Sequence, residues 1–159
     1  MKLNIRKASV QDMPAVLDLI KELAIFEKEP NAVAITTDDL IANGFGNNPL
    51  FYCYIAILDD EIVGMAICYF RFSTWKGKTV HLEDLIVKEN KRGLGVGKAL
   101  YTQVMKFAND HGVKRVEWVV LDWNKPAVNF YESTGANLLK DWYLVQMDEE
   151  GLSNFLEKE

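Results

Sequence analysis

The sequence predicts a mixed β-sheet flanked by helices, in the α/β or α+β range. Three observations carry that reading. Apolar residues switch repeatedly between a period of two and a period near 3.6, in the order βααβββαβαβ. The connections are short, with no linker, repeat or low-complexity tract, so residues 1–159 read as a single domain. One strand also passes into a helix through the glycine-rich run Arg92-Gly93-Leu94-Gly95-Val96-Gly97.

Each element has its own signal. Leu3-Asn4-Ile5-Arg6 alternates apolar and polar residues and reads as an edge strand. Ser9 offers an N-cap and Asp12 favours the first turn, while Met13, Val16, Leu17, Ile20, Leu23 and Ala24 recur at helical spacing over 10–27. Thr36 or Thr37 caps a short second helix to about Asn43, broken by Gly44 and Gly46. Residues 52–58 and 61–72 form a hairpin about Asp59-Asp60. After a loop with Trp75 and Gly77, a third strand covers about 79–87. A helix over 95–109 carries Val96, Leu100, Val104 and Phe107 on one stripe and ends at His111-Gly112. Residues 113–121 read as a buried strand, 124–134 as a helix opened by Pro126 and closed by Gly135, and 142–147 as a final strand before a polar helical tail.

Composition excludes several classes. With 159 residues, 49% hydrophobic and 26% charged, the chain can bury a core without staples. Its net charge of −5 disfavours nucleic acid and anionic membrane surfaces and favours a cationic partner. Two cysteines, Cys53 and Cys68, make no disulfide framework or zinc spacing and read as core residues; no metal site is expected. Two histidines leave a Ser-His-Asp arrangement little to draw on. The N-terminus lacks an apolar signal-peptide core, and no window approaches a membrane span. A cytoplasmic protein is expected.

The strand–RGLGVG–helix junction carries the most chemistry. Glycines at alternate positions let the backbone come close to a ligand, and the helix behind them offers unpaired N–H groups and a positive dipole end for phosphate oxygens. A dinucleotide GxGxxG fingerprint would need glycine where Lys98 stands. A P-loop would need glycine at Arg92 and Ser or Thr at Ala99. What remains is RxxGxG, either a different phosphate site or a ligand-free β–α turn. Farther on, Asn124 and Tyr131 stand seven residues apart, two helical turns, so they share a face with Val128 between them. That face either lines a ligand or covers a core tyrosine beneath a capped helix.

Together, RxxGxG and the later NxxAxxFYxxxG pattern resemble the GNAT superfamily of acetyl-CoA-dependent N-acetyltransferases. Ile20-Lys21-Glu22-Leu23-Ala24, Phe26-Glu27, Asp39-Leu40, Gly44-Phe45-Gly46, Trp75-x-Gly77-Lys78 and Leu82-Glu83-Asp84 are similar to the spermidine/spermine (diamine) N-acetyltransferase family, which includes thialysine acetyltransferases. The similarity runs from about Ile5 to Met147.

The resemblance implies roles. Leu85, Ile86 and Val87 would hold the pantetheine arm and thioester carbonyl through strand backbone groups. Arg92, Gly93, Leu94, Gly95, Val96, Gly97 and Lys98 would cradle the pyrophosphate. Asn124 and Ala127 would touch acetyl-CoA, and Tyr131 would touch it and act as general acid. Phe26, Glu27, Trp75, Glu83 and Asp84 would bound the amine pocket. An alkyl ammonium, with a pKa near 10.4, must lose a proton before it attacks. Glu83 is the expected base, since a regular strand puts Glu83 and Asp84 on opposite faces. A backbone N–H would hold the developing oxyanion. His81 reads as a strand residue with a satisfied ring.

Two departures bear on the substrate. Phe26 stands where polyamine enzymes of this family commonly carry tyrosine, and Leu138-Leu139-Lys140-Asp141 replaces a longer, acidic segment. Lysine-like and other small primary amines therefore stand beside diamines and polyamines as expected substrates. The family is usually dimeric, so a homodimer is expected. The alternatives are protein lysine or N-terminal acetylation, and a CoA-binding regulatory module without turnover.

Overall fold

The computed structural model describes residues 2–158. They group into two compact units, one running to Val119 and the other beginning at Val120. The first holds a five-stranded sheet of β1 (Leu3–Lys7), β2 (Tyr52–Leu58), β3 (Glu61–Ser73), β4 (Gly77–Val87) and β5 (Val116–Glu117), in that spatial order. The first four strands are antiparallel neighbours, and β5 joins β4 in parallel. Helices α1 (Met13–Phe26), α2 (Thr37–Gly44) and α3 (Val96–Asp110) complete this unit. The second unit carries α4 (Lys125–Ser133) and α5 (Glu149–Leu156). A mixed central sheet flanked by helices is the observed architecture.

Period two divides the sheet between two helical layers. Cys53 and Ile55 of β2 join Met65, Ile67 and Ile86 in one core with Met13, Val16, Leu17 and Leu19 of α1 and Leu40 of α2. Tyr52 and Tyr54, one residue out of step, face α3 instead. Their rings lie 4.9 and 6.1 Å from that of Phe107, and Phe70 of β3 lies 5.3 Å from it. Both cysteines are buried, as their strand patterns require.

Local chemistry explains the ends of these elements. Asp12 accepts from the N–H and hydroxyl of Ser9, each at 2.7 Å, and from both terminal nitrogens of Arg6 at 2.7 and 3.0 Å. The Arg6 guanidinium and these donors hold the Asp12 carboxyl well below the usual range. Thr36 and Asp39 form a reciprocal capping box that starts α2. Asp59 and Asp60 sit at φ 47° and 68°, the left-handed pair that a two-residue hairpin turn between β2 and β3 needs.

Two predicted strands differ. The span 113–121 keeps only β5, and Val119 and Leu121 are exposed rather than buried. The β4–β5 ladder covers Val80↔Val116 and His81↔Glu117 and stops where β4 bulges. Residues 142–147 form no strand, and Trp142, Tyr143, Leu144, Val145 and Met147 are exposed. Their β-branched and aromatic content satisfies a strand pattern, but a strand exists only where another edge accepts its backbone. No helix among the described residues is long and apolar enough to cross a membrane.

Candidate active site

The acidic side chains of the first unit are gathered by a defect in β4. Ile67 of β3 pairs with Asp84, and the next residue, Cys68, pairs with Leu82. Glu83 is the surplus residue of a β-bulge. Asp84 therefore lies opposite Ile67, a member of the α1/α2 core. Glu83 accepts a hydrogen bond from the Tyr69 hydroxyl at 3.0 Å, and Tyr69 shares the face of Ile67 two residues before it. The two carboxylates thus share one face, contrary to the alternation expected of a regular strand. The bulge is the physical reason.

Their environments separate them. Burial pushes the Asp84 carboxyl up to about 6, with the neighbouring charges of Glu83 and Glu27 adding to the shift. Glu83 is half exposed and moves the other way: its contact with His81 favours the charged form most, followed by the Tyr69 hydroxyl and the nearby Arg71. Glu27, the C-cap of α1, is raised by burial. The coupling of Asp84 to both Glu27 and Glu83 makes the three acids one cluster. Asp84 and Glu27 are its more readily protonated members and Glu83 its anion.

Beside the cluster, β4 is open. Its last six residues, 82–87, run past the end of the β5 ladder, so Leu85, Ile86 and Val87 lie on a strand edge that β5 no longer covers. The end of β4 is tied down by Arg92, whose Nε donates to the Val87 carbonyl at 3.1 Å and whose guanidinium stacks 4.9 Å from the Phe26 ring. One arginine joins the ends of β4 and α1.

The glycine loop follows. Gly93 and Gly95 have φ of 79° and 80°, a left-handed conformation that side chains rarely adopt. A Cβ on either would meet no atom within 4 Å. Gly95 is also the N-cap of α3, whose leading N–H groups have no intrahelical acceptors. An open backbone cradle, a helix N-terminus behind it and Lys98 in its first turn fit the phosphates of acetyl-CoA. Leu94 is exposed, Val96 is buried beneath the helix start, and a Cβ on Gly97 would make ordinary contact with Val87.

In the second unit, Asn124 accepts from the Ala127 N–H through its side chain at 3.4 Å and from the Val128 N–H through its backbone carbonyl at 3.0 Å. It caps α4, on which Val128 is buried and Tyr131 lies two turns along. Trp75 is placed apart from the acids. It sits in the β3–β4 turn, 81% exposed, and the seven residues of β4 from Gly77 to Glu83 span about 20 Å.

Two features escape a reading of the sequence alone. Gly64 interrupts an apolar strand, and a Cβ there would stand 2.7 Å from the Ile86 carbonyl; a lone glycine inside a strand signals such an approach. Tyr69 and Arg71 belong to no motif, although their spacing of two matches that of His81 and Glu83 on the neighbouring strand.

The acetyltransferase (GNAT) family matches residues 14–136. Bovine thialysine N-epsilon-acetyltransferase (Bos taurus) is 37% identical over 159 residues, covering 93% of this chain and 94% of that protein. Human spermidine/spermine N(1)-acetyltransferase-like protein 1 (Homo sapiens) is also 37% identical over 159 residues, but the chain spans only 23% of its length. Among solved structures, an integron cassette protein from the mobile metagenome of V. cholerae superposes with a TM-score of 0.80, at 22% identity and 99% coverage of both chains.

Proposed function

Because the chain belongs to the GNAT acetyltransferase family, we propose that it transfers acetyl from acetyl-CoA to a small cationic primary amine, a diamine, polyamine or thialysine- or lysine-like compound. The observation that carries the substrate class is the cluster of Glu27, Glu83 and Asp84 on one face beside the open β4 edge. Three carboxylates together attract a cation, and a carboxyl raised to about 6 can take a proton from it.

Acetyl-CoA supplies the activated thioester. The residues proposed to hold it are the β4 backbone at Leu85, Ile86 and Val87, the loop from Arg92 to Lys98, and Asn124 and Ala127 of the second motif. Glu83 anchors the ammonium, and Asp84 accepts its proton directly or through water. Raising Asp84 from 3.8 to about 6 narrows the gap to an alkyl ammonium by roughly 3 kcal/mol. Tyr131 gives its phenolic proton to the sulfur as the carbon–sulfur bond breaks and the carbon–nitrogen bond forms. The acylated nitrogen then gives up a second proton, which restores the Tyr131 phenol, so the net reaction releases one proton, the one taken by Asp84. A homodimer belongs to the same proposal.

A panel of diamines, polyamines, thialysine, lysine and a lysine-containing peptide, read by thiol release, tests this reading. Release with one or more small amines is the expected result. Tight acetyl-CoA binding with no release on any amine would sink it in favour of a binding module, and release with the peptide alone would shift it to protein acetylation. Tyr131→Phe is expected to lower turnover about 100-fold and to leave acetyl-CoA affinity nearly unchanged. Unchanged turnover would remove Tyr131 as the acid.

A further inference from the structure

Acetyl transfer as proposed makes no use of one polar array, formed by Arg115, Glu117, Arg71 and His81, which lead across three strands to Glu83. The Arg115 Nε lies 3.1 Å from one oxygen of Glu117, and Arg71 Nη1 lies 2.7 Å from the other. The same Nη1 is 3.2 Å from Nδ1 of His81. Nε2 of that ring lies 3.5 Å from Oε2 of Glu83, the oxygen that also accepts from the Tyr69 hydroxyl at 3.0 Å. Strand register builds the array, since Tyr69 pairs with His81 across β3–β4 and His81 with Glu117 across β4–β5.

We infer that His81 is a positioning residue: Arg71 fixes its ring as the neutral tautomer with the proton on Nε2, and that proton, with the Tyr69 hydroxyl, pins Oε2 of Glu83. A guanidinium has donors and no acceptor, so the Nδ1 facing it must be the accepting nitrogen. In a neutral imidazole the proton then sits on Nε2, the nitrogen 3.5 Å from Glu83. An imidazolium would set an N–H against the Arg71 cation. The His81 side chain is 12% exposed, which leaves the ring little room to turn. Facing it are Tyr69 and Arg71 from β3, Glu117 from β5 and Glu83 on its own strand. The Tyr69 hydroxyl on Oε2, with the His81 ring 3.5 Å away beside it, leaves Oε1 for an incoming ammonium. They also keep the Glu83 charge beside Asp84, and so keep the two acids in different roles. The inference rests on the amine reading for its function, but its geometry can be tested without substrate.

The test compares wild type with His81→Phe, which keeps a ring without nitrogens, and His81→Gln, whose amide can accept from Arg71 and donate to Glu83. Nitrogen NMR of the imidazole in the ligand-free protein should find the proton on Nε2, and Arg71→Met should mix the tautomers. Carbon NMR of the Glu83 carboxyl should titrate at higher pH in His81→Phe and return toward wild type in His81→Gln. With an amine that turns over, His81→Phe should raise the amine KM about tenfold, leave the acetyl-CoA KM alone, and add nothing in a Glu83→Gln background. A proton on Nδ1 in wild type, a Glu83 titration indifferent to His81→Phe, or additive kinetic effects would each overturn the inference. Absence of turnover on every amine would overturn the acetyl-transfer reading instead, and the two NMR measurements would still decide the role of His81.

Discussion

Gly95→Val is expected to lower acetyl-CoA affinity at least about 100-fold while the protein stays folded. Two costs combine. Position 95 has φ +80°, and a β-branched residue there carries roughly 1–3 kcal/mol of backbone strain. Its side chain also projects into the open space of the cradle, where no protein atom lies within 4 Å and a phosphate would approach the backbone. Losing even two charge-assisted N–H contacts removes about 3–6 kcal/mol of binding. Gly95→Ala separates the costs, because it keeps most of the strain with less bulk. Calorimetric titration with acetyl-CoA reads both variants, and wild-type affinity in Gly95→Val would mean that the loop is only a turn.

Asp84→Asn is expected to damage the enzyme and stabilise the protein. Without its proton acceptor, kcat/KM for the amine should fall about 10²–10⁴-fold. In wild type the same parameter should rise with pH through about 6, where Asp84 ionises, and the amide should remove that limb. The stability effect follows from the same burial. A carboxyl raised from 3.8 to about 6 retains its proton in the folded state over a range where the unfolded chain has lost it, so stability falls as pH rises across that window. Above it, the folded state holds a buried charge that the amide lacks. At pH 8 the substitution should therefore stabilise by as much as about 3 kcal/mol, read as a higher urea midpoint. A destabilised Asp84→Asn variant with full activity would show that Asp84 is a structural acid.

Much of this fold is written locally, and those parts are legible in the sequence. Ser9 with Asp12, Thr36 with Asp39, and Asp59-Asp60 each act within four residues, and the structure uses each where its chemistry points. The glycine loop and the Asn124 cap are equally local. What was not legible depends on partners far along the chain. Nothing within Leu82-Glu83-Asp84 announces a bulge; it exists because Ile67 and Cys68 take Asp84 and Leu82 as neighbours. The short β5 has the same origin, since Val119 and Leu121 are strand formers with no ladder to join. Arg71 and His81 meet across ten residues of hairpin, so their pairing depends on register rather than on motif.

The bulge also separates inheritance of the scaffold from inheritance of the chemistry. Between the paired positions β3 advances one residue, from Ile67 to Cys68, while β4 advances two, from Leu82 to Asp84. The acid pair is a surplus of one residue in one strand. Loss of a single codon at position 83 would let the two strands pair without interruption, with Leu82 and Asp84 on successive faces. A lineage could therefore keep the entire sheet while its acid pair disappears, and overall likeness in shape is blind to that event. Counting residues between paired positions of β3 and β4 reports the pair where superposition does not.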